Sequence, residues 1–326
     1  MSASTIARRG ALLGLLGAGG LAASASAQDF PSRAIRVIVP FSAGGNTDVL
    51  ARIIAPRAAE RLGQPVVVEN RPSAGAVVGT EAVARGRPDG YTLLMVDTTL
   101  AVLPTLQPSL PFDIFRDLVP LSFVASAPTT LVVRASMPAR TLQEVIDLAK
   151  AQPGRLTYAT GSIGGTAHMA ALLFQEEAGI SLTHAPYSGA GQAMTDLVGG
   201  HLDITFSALS AVQGLVDAGS VRAIVTSGAQ RLPVAPNLPT FGEAGLPGVV
   251  VSAHWGFYAP AGTPAPILER LSAAILAGLR EPGTVADIER RGYIVMGTTS
   301  AEQAVLLREE HDMWGAVMRR ALAVRR

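Results

Sequence analysis

Two stretches, one in each half of the chain, are built alike, and their likeness limits the possible folds more than any other feature. "IRVIVPFSAGGNTDVLARII" (Ile35 to Ile54) and "LTYATGSIGGTAHMAALLF" (Leu156 to Phe174) share one order of parts. Each runs from a strand pattern through a short polar turn to a Gly-Gly pair, meets a threonine within two residues, and enters a helix with apolar periodicity. A strand that passes through glycines into a helix start points free backbone N–H groups at whatever lies above it. Two such loops on two α/β units describe a cleft better than a single catalytic pocket.

The rest of the chain fits two units. Strand and helix alternate from Ile35: a strand to Val39, a helix over Thr47–Leu62, a strand at Val66–Glu69, a helix at Val77–Ala84 and a strand at Thr92–Val96. Such alternation is the mark of a parallel α/β sheet. The rhythm restarts near Leu131, where Thr141 and Glu144 form a capping box for a helix to about Ala151. It continues through strands at Leu156–Thr160, His184–Pro186, Ile204–Ser207 and Ala223–Thr226. After a proline-rich loop, "HWGFYAPAGTP" leads into three late helices over 265–280, 283–291 and 300–322. A chain of 326 residues has the length for two such domains.

The first 27 residues stand apart. Arg8-Arg9, an apolar Gly/Ala/Leu run, and Ala25-Ser26-Ala27 read as an export signal cleaved after Ala27. The paired arginines leave twin-arginine and general export both open. Cleavage removes two arginines and leaves 24 basic against 25 acidic residues, a near-neutral balance that argues against a nucleic-acid partner. The chain contains no cysteine, which excludes disulfides, thiolate metal sites and a lipid-anchored lipoprotein.

Catalytic and cofactor motifs are absent. The mature chain lacks the G-x-G-x-x-G spacing and the phosphate loop ending in Gly-Lys-Ser/Thr. "TGSIGG" sets Gly161 directly against Ser162 and so fails the G-x-S-x-G elbow of a serine hydrolase. The histidines at 168, 184, 201, 254 and 311 have no metal-ligand spacing. Neither a cofactor nor a metal is expected. What remains is recognition by backbone: Gly44 and Gly45 allow close approach, Thr47 is placed to cap the helix, and Asp48 suits the positive end of its dipole.

Many segments in order carry a family likeness. "IRVIVPFSAGGNTDVLAR", "GQPVVVENRPSAG", "RPDGYTLL", "GGTAHMAALLF", "HAPYSGAGQAMTDLVGGHLD", "LPTFGEAGLPG", "GFYAPAGTPAPILERL" and "GYIVMGTTSAEQAVLLREEHDMW" together resemble the Bug-type, TctC-like receptors. These are the extracytoplasmic substrate-binding proteins of tripartite tricarboxylate transporters. The likeness spans Phe30 to Leu322.

The resemblance implies an α/β type II periplasmic-binding-protein fold, two α/β domains around a ligand cleft. Domain 1 would comprise 29–127 and 251–326, and domain 2 would comprise 128–250. It implies a monomeric periplasmic receptor that binds a small organic acid and hands it to the membrane components of the transporter. It also implies that main-chain N–H groups and hydroxyls of two loops hold the ligand, often through ordered waters. Carried over residue by residue, the first loop is Phe41, Ser42, Ala43, Gly44, Gly45, Asn46, Thr47 and Asp48. The second is Thr160, Gly161, Ser162, Gly164, Gly165, Thr166 and His168, and Tyr187, Ser188 and Ser207 complete the cleft wall. "SAGA" at 73–76, "TGSIGGTAHM" and "TFSALSA" depart from the family wording where ligand choice is decided. Two other readings accompany it: an exported hydrolase using Ser162 and His168, and a ligand sensor working with a signalling partner instead of a transporter.

Overall fold

The β-branched run Ile35–Val39 forms β1, in which Ile35, Val37, Ile38 and Val39 are all buried. The computed structural model describes residues 30–161, 163–187 and 190–324; the proposed export segment, Ser162 and Ser188 lie outside the described residues. After β1 the chain turns into α1 (Asn46–Leu62), whose Leu50, Ala51, Ile54, Ala58 and Leu62 recur every three or four residues on one buried face. Gly63 ends this helix at φ 73°, a left-handed cap whose N–H donates to the Ala59 carbonyl.

β2 (Val66–Asn70), α2 (Val77–Ala84) and β3 (Thr92–Asp97) follow as the alternation requires. Two elements come next that sequence pattern alone does not reveal, α3 (Thr99–Leu106) and β4 (Leu118–Pro128). Proline lies inside both, at 104 in the helix and at 120 in the strand, and proline normally argues against either assignment.

The second unit contains β5 (Thr130–Arg134), α4 (Leu142–Ala151), β6 (Thr157–Thr160), α5 (Thr166–Ala178), β7 (Thr183–Pro186), α6 (Ala190–Val198), β8 (Ile204–Ser207), α7 (Leu209–Asp217) and β9 (Val221–Thr226). The capping box of α4 forms as its sequence indicates: the Glu144 N–H donates to Thr141 Oγ1 at 3.3 Å, and the Thr141 N–H donates to the Glu144 carboxylate at 3.2 Å. The chain then returns through β10 (Ser252–Pro260), α8 (Ala265–Leu279), α9 (Pro282–Arg290), β11 (Ile294–Val295) and α10 (Ser300–Val324).

The strands form two sheets, ordered β11-β4-β10-β3-β1-β2 and β7-β6-β8-β5-β9. Neither is purely parallel, which corrects the sequence reading. β1 runs parallel to β2 and β3, but β10 lies antiparallel between β3 and β4. In the second sheet β6 is parallel to β7 and β8, whereas β5 is antiparallel to β8 and β9. The reason is the crossing of the chain. β3 and β4 run toward the junction between the sheets and β10 runs away from it, so the returning strand must enter reversed. Gly256 lets β10 pass through the middle of its sheet, because a Cβ there would meet Phe123 Cδ1 at 2.8 Å and Gln303 Nε2 at 2.3 Å.

The two crossings are stitched together at the fully buried Ser227. Its N–H donates to the Thr129 carbonyl at 2.7 Å, and its Oγ accepts the Thr129 N–H at 2.9 Å. The same hydroxyl donates to the Val251 carbonyl at 2.5 Å, and the Val251 N–H donates to the Ser227 carbonyl at 2.9 Å. A second link is α10: Trp314, Val317 and Met318, near its end, share a buried core with Met169, Phe174 and Phe206 of the second unit. No helix among the described residues is long and apolar enough to cross a membrane.

Candidate functional site

The two Gly-Gly loops have the same backbone. Gly44 and Gly164 stand at φ +83° and +80°. Gly45 and Gly165, the residues before α1 and α5, have φ/ψ of −75°/168° and −72°/167°. In each loop the left-handed glycine donates its N–H to the side chain four residues on: Gly44 to Asp48 Oδ2 at 2.9 Å, Gly164 to His168 Nδ1 at 3.1 Å. The left-handed turn therefore belongs to Gly44 and Gly164, while Gly45 and Gly165 sit in extended backbone open to any residue.

Both loops face one cavity of about 350 Å³ at the junction of the sheets. From the first unit it is lined by Phe41, Ser42, Ala43, Gly45, Asn46 and Thr47, with Asp97, Ala127, Ala253 and Trp255 beside them. From the second come Pro128, Thr129, Gly161, Gly165, Thr166, Ala167, Met194, Thr205, Phe206, Ser207 and Ala208. The starts of α1 and α5 thus open on the same space, and the N–H groups of a helix's first turn have no partner within the helix. Together with the helix dipole they favour an anion. Among the described residues the lining contains no arginine, lysine or histidine, so backbone supplies what positive character the cavity has.

The first helix start is held from three sides. Trp255 Nε1 donates to Thr47 Oγ1 at 3.1 Å, and the Tyr293 hydroxyl donates to Asn46 Oδ1 at 2.8 Å. Asn70 Nδ2 donates to the Phe41 carbonyl at 3.1 Å and to Asp48 Oδ1 at 3.0 Å. The expectation that Thr47 caps α1 is corrected: Gly45, which has no side chain to bond with, is the cap residue, and Thr47 already lies inside the helix, where its hydroxyl accepts from Trp255. Asp48 is buried and bonded to Arg52, Gly44 and Asn70. Burial pushes its carboxyl up, but the bonds from Arg52, the Gly44 N–H and Asn70 outweigh this and hold it below the usual range.

Several expected positions stand behind the lining. Thr160 is buried, its hydroxyl 2.7 Å from His184 Nε2. His168 is buried, stacked on His184 with ring centroids 4.5 Å apart. Its Nδ1 takes the Gly164 N–H, so it orders the loop from within. Tyr187 turns its hydroxyl to Asp196 Oδ2 at 2.5 Å. Gly44 faces an adjoining hollow lined also by Gln213 and Arg291.

Other lining residues escape sequence reading. Asp97 ends β3, and Thr129 sits at the first crossing; the Oγ1 of Thr129 is buried and has no hydrogen-bond partner among the described residues. Trp255 is visible in "HWGFY" only as an aromatic run. The signal for Asp97 is positional: ligands of α/β sheets collect at the carboxyl ends of the strands, and β3 lies next to β1.

The model of the tripartite tricarboxylate transporter family receptor, TctC, matches residues 50–322. Protein BugT of Bordetella pertussis is 36% identical over 302 residues, covering 92% of this chain and 93% of its own. The solved periplasmic binding protein BugD is 30% identical with a TM-score of 0.81, over 90% of this chain and 98% of that one. MatC from Rhodopseudomonas palustris, solved with bound malate, is 32% identical with a TM-score of 0.81, over 88% and 99% of the two chains. These relatives share the two-lobed α/β architecture of periplasmic binding proteins. The chain belongs to the TctC family of tripartite tricarboxylate transporter receptors, the Bug-type solute-binding proteins.

Proposed function

We propose that this protein is a periplasmic solute receptor that takes a small organic anion between its lobes and delivers it to the membrane components of a tripartite tricarboxylate-type transporter. The observation that carries the reading is the pair of matched helix starts opening on one cavity that has no cationic side chain among its described lining residues. Backbone N–H groups bonded to a carboxylate are charge-assisted, and they strengthen as closure removes water. Relatives solved with malate and with adipate add weight to a carboxylate as ligand. In this reading 1–27 is a signal cleaved after Ala27, and the mature chain acts as a monomer. Residues 29–127 with 251–326 form one lobe and 128–250 the other, with the crossings at Ser227 as the hinge.

Against the hydrolase reading stands the burial of His168, whose Nδ1 accepts the Gly164 N–H. The test is a thermal-shift and native mass spectrometry panel of mono- and dicarboxylates, aromatic acids and amino acids on the mature protein. A receptor is stabilised by its ligand in proportion to mass action and returns it unchanged. Turnover of any panel member, or no stabilisation by any small anion, removes the proposal.

A further inference from the structure

The cavity that takes the anion also contains an acid. Among the described residues Asp97 is the one ionisable side chain in the lining, and it makes no ion pair there. Its Oδ1 accepts the Thr99 N–H at 3.0 Å. Behind it lies a second buried acid, Glu310, bonded through Oε1 to His254 Nδ1 at 2.5 Å, while its Oε2 has no partner among the described residues. Thr98, next to Asp97 in the chain, joins the two: its hydroxyl accepts the His254 N–H at 2.8 Å and reaches Glu310 Oε1 at 3.4 Å. Glu310 and His254 stand behind the wall, and Asp97 alone of the three lines the cleft. Burial, and further behind it the Glu310 charge, push the Asp97 carboxyl up against the lowering bonds from Thr99.

This arrangement bears on which anion fits. The helix starts of α1 and α5 reward one carboxylate. A second carboxylate reaching Asp97 would meet its carboxyl with no arginine or lysine among the described lining residues to separate them, and like charges at close range are costly. An ammonium or amide nitrogen at the same place donates to the Asp97 carboxylate and offsets its burial. We infer that Asp97 makes this receptor select carboxylates that also carry a nitrogen donor, of the amino-acid class, over plain dicarboxylates of the same length. The inference rests on the receptor reading and sharpens it. Such discrimination is typical of sites built around a buried polar group, which penalise a ligand that leaves the group unpaired.

The experiment is calorimetry on the mature protein with pairs matched in length, 4-aminobutyrate against glutarate and aspartate against succinate. The nitrogen-bearing member is expected to bind about tenfold tighter or more. Asp97→Asn is expected to abolish that preference while leaving succinate and glutarate at least as tightly bound as before. The wild-type comparison needs no variant and stands even if Asp97→Asn fails to fold. Tighter binding of the nitrogen-free acids, unmoved by Asp97→Asn, overturns the inference and leaves the receptor reading intact. A panel of small anions in which nothing binds removes both together.

Discussion

Gly44 and Gly164 hold corresponding places in the two lobes, each in left-handed backbone and each donating its N–H to the side chain four residues ahead. The match extends to the residue that follows, so that both helices begin from the same extended step. What differs is the surroundings. A Cβ on Gly44 would meet nothing within 4 Å, whereas one on Gly164 would lie 2.3 Å from Leu106 Cδ1.

That difference separates two otherwise identical substitutions. Gly44→Ala should cost only the strain of left-handed backbone, about 1–2 kcal/mol. Gly164→Ala carries the same strain plus overpacking against α3, a further 1–3 kcal/mol or so. Urea unfolding of the two variants checks the order; equal destabilisation would contradict it.

Gly45→Val tests binding separately from folding. Gly45 has φ −75°, and its nearest Cβ neighbour would be the Ser42 carbonyl at 3.4 Å, so the protein should stay folded. The valine side chain would intrude where the ligand approaches backbone, lowering affinity by about tenfold or more. Calorimetry with an anion identified from the panel reads it. Wild-type affinity in the folded variant would rule out close approach at this loop.

Asp48 predicts an acid limit. Its carboxyl is held low in the folded chain, so its stabilisation is complete above the unfolded value of 3.8 and is lost as pH falls through the folded one. Asp48→Asn should be less stable than wild type near neutrality, and the gap should narrow as pH drops below about 4. Denaturant midpoints measured along that range decide it; a gap constant with pH would place the stabilisation elsewhere.

Ser227→Ala removes two side-chain bonds at once and leaves the Thr129 N–H and the Val251 carbonyl short of a partner at a fully buried point. The expected loss is about 1–3 kcal/mol per unsatisfied group, read as a lower melting temperature. A melting temperature equal to wild type would mean that the crossings do not depend on this hydroxyl.

Closure is the motion expected of two lobes joined in this way. Small-angle scattering should show a smaller radius of gyration at ligand saturation. Unchanged scattering, together with unchanged distances between spin labels on the two lobes, would indicate a preformed cleft instead.

The loops were legible in the sequence because their information is local. Gly-Gly, a hydroxyl and an apolar period within twenty residues or so are enough to place a helix start over a strand end. The contacts that finish the site are not local. Trp255 reaches Thr47 across 208 positions, and Ser227 joins Thr129 to Val251 across 98 and 24. Pattern reading sees neither end of such a bond as special. For the same reason the central strand β10 shows in the sequence only as an aromatic run before the late helices, since its partners β3 and β4 come from far upstream. His168 and Thr160 are placed by bonds that pattern reading does not show either: the one takes the Gly164 N–H and the other lies against His184.

The position of Trp314, Val317 and Met318 in the second lobe's core has a consequence for how the chain is made. Residues 128–250 are synthesised long before α10 emerges, yet the apolar surface around Met169 and Phe174 stays uncovered until it does. A nascent chain of this protein should therefore delay its final consolidation until the last helix arrives. A fragment ending at Val250 should behave as a loosely packed, aggregation-prone intermediate.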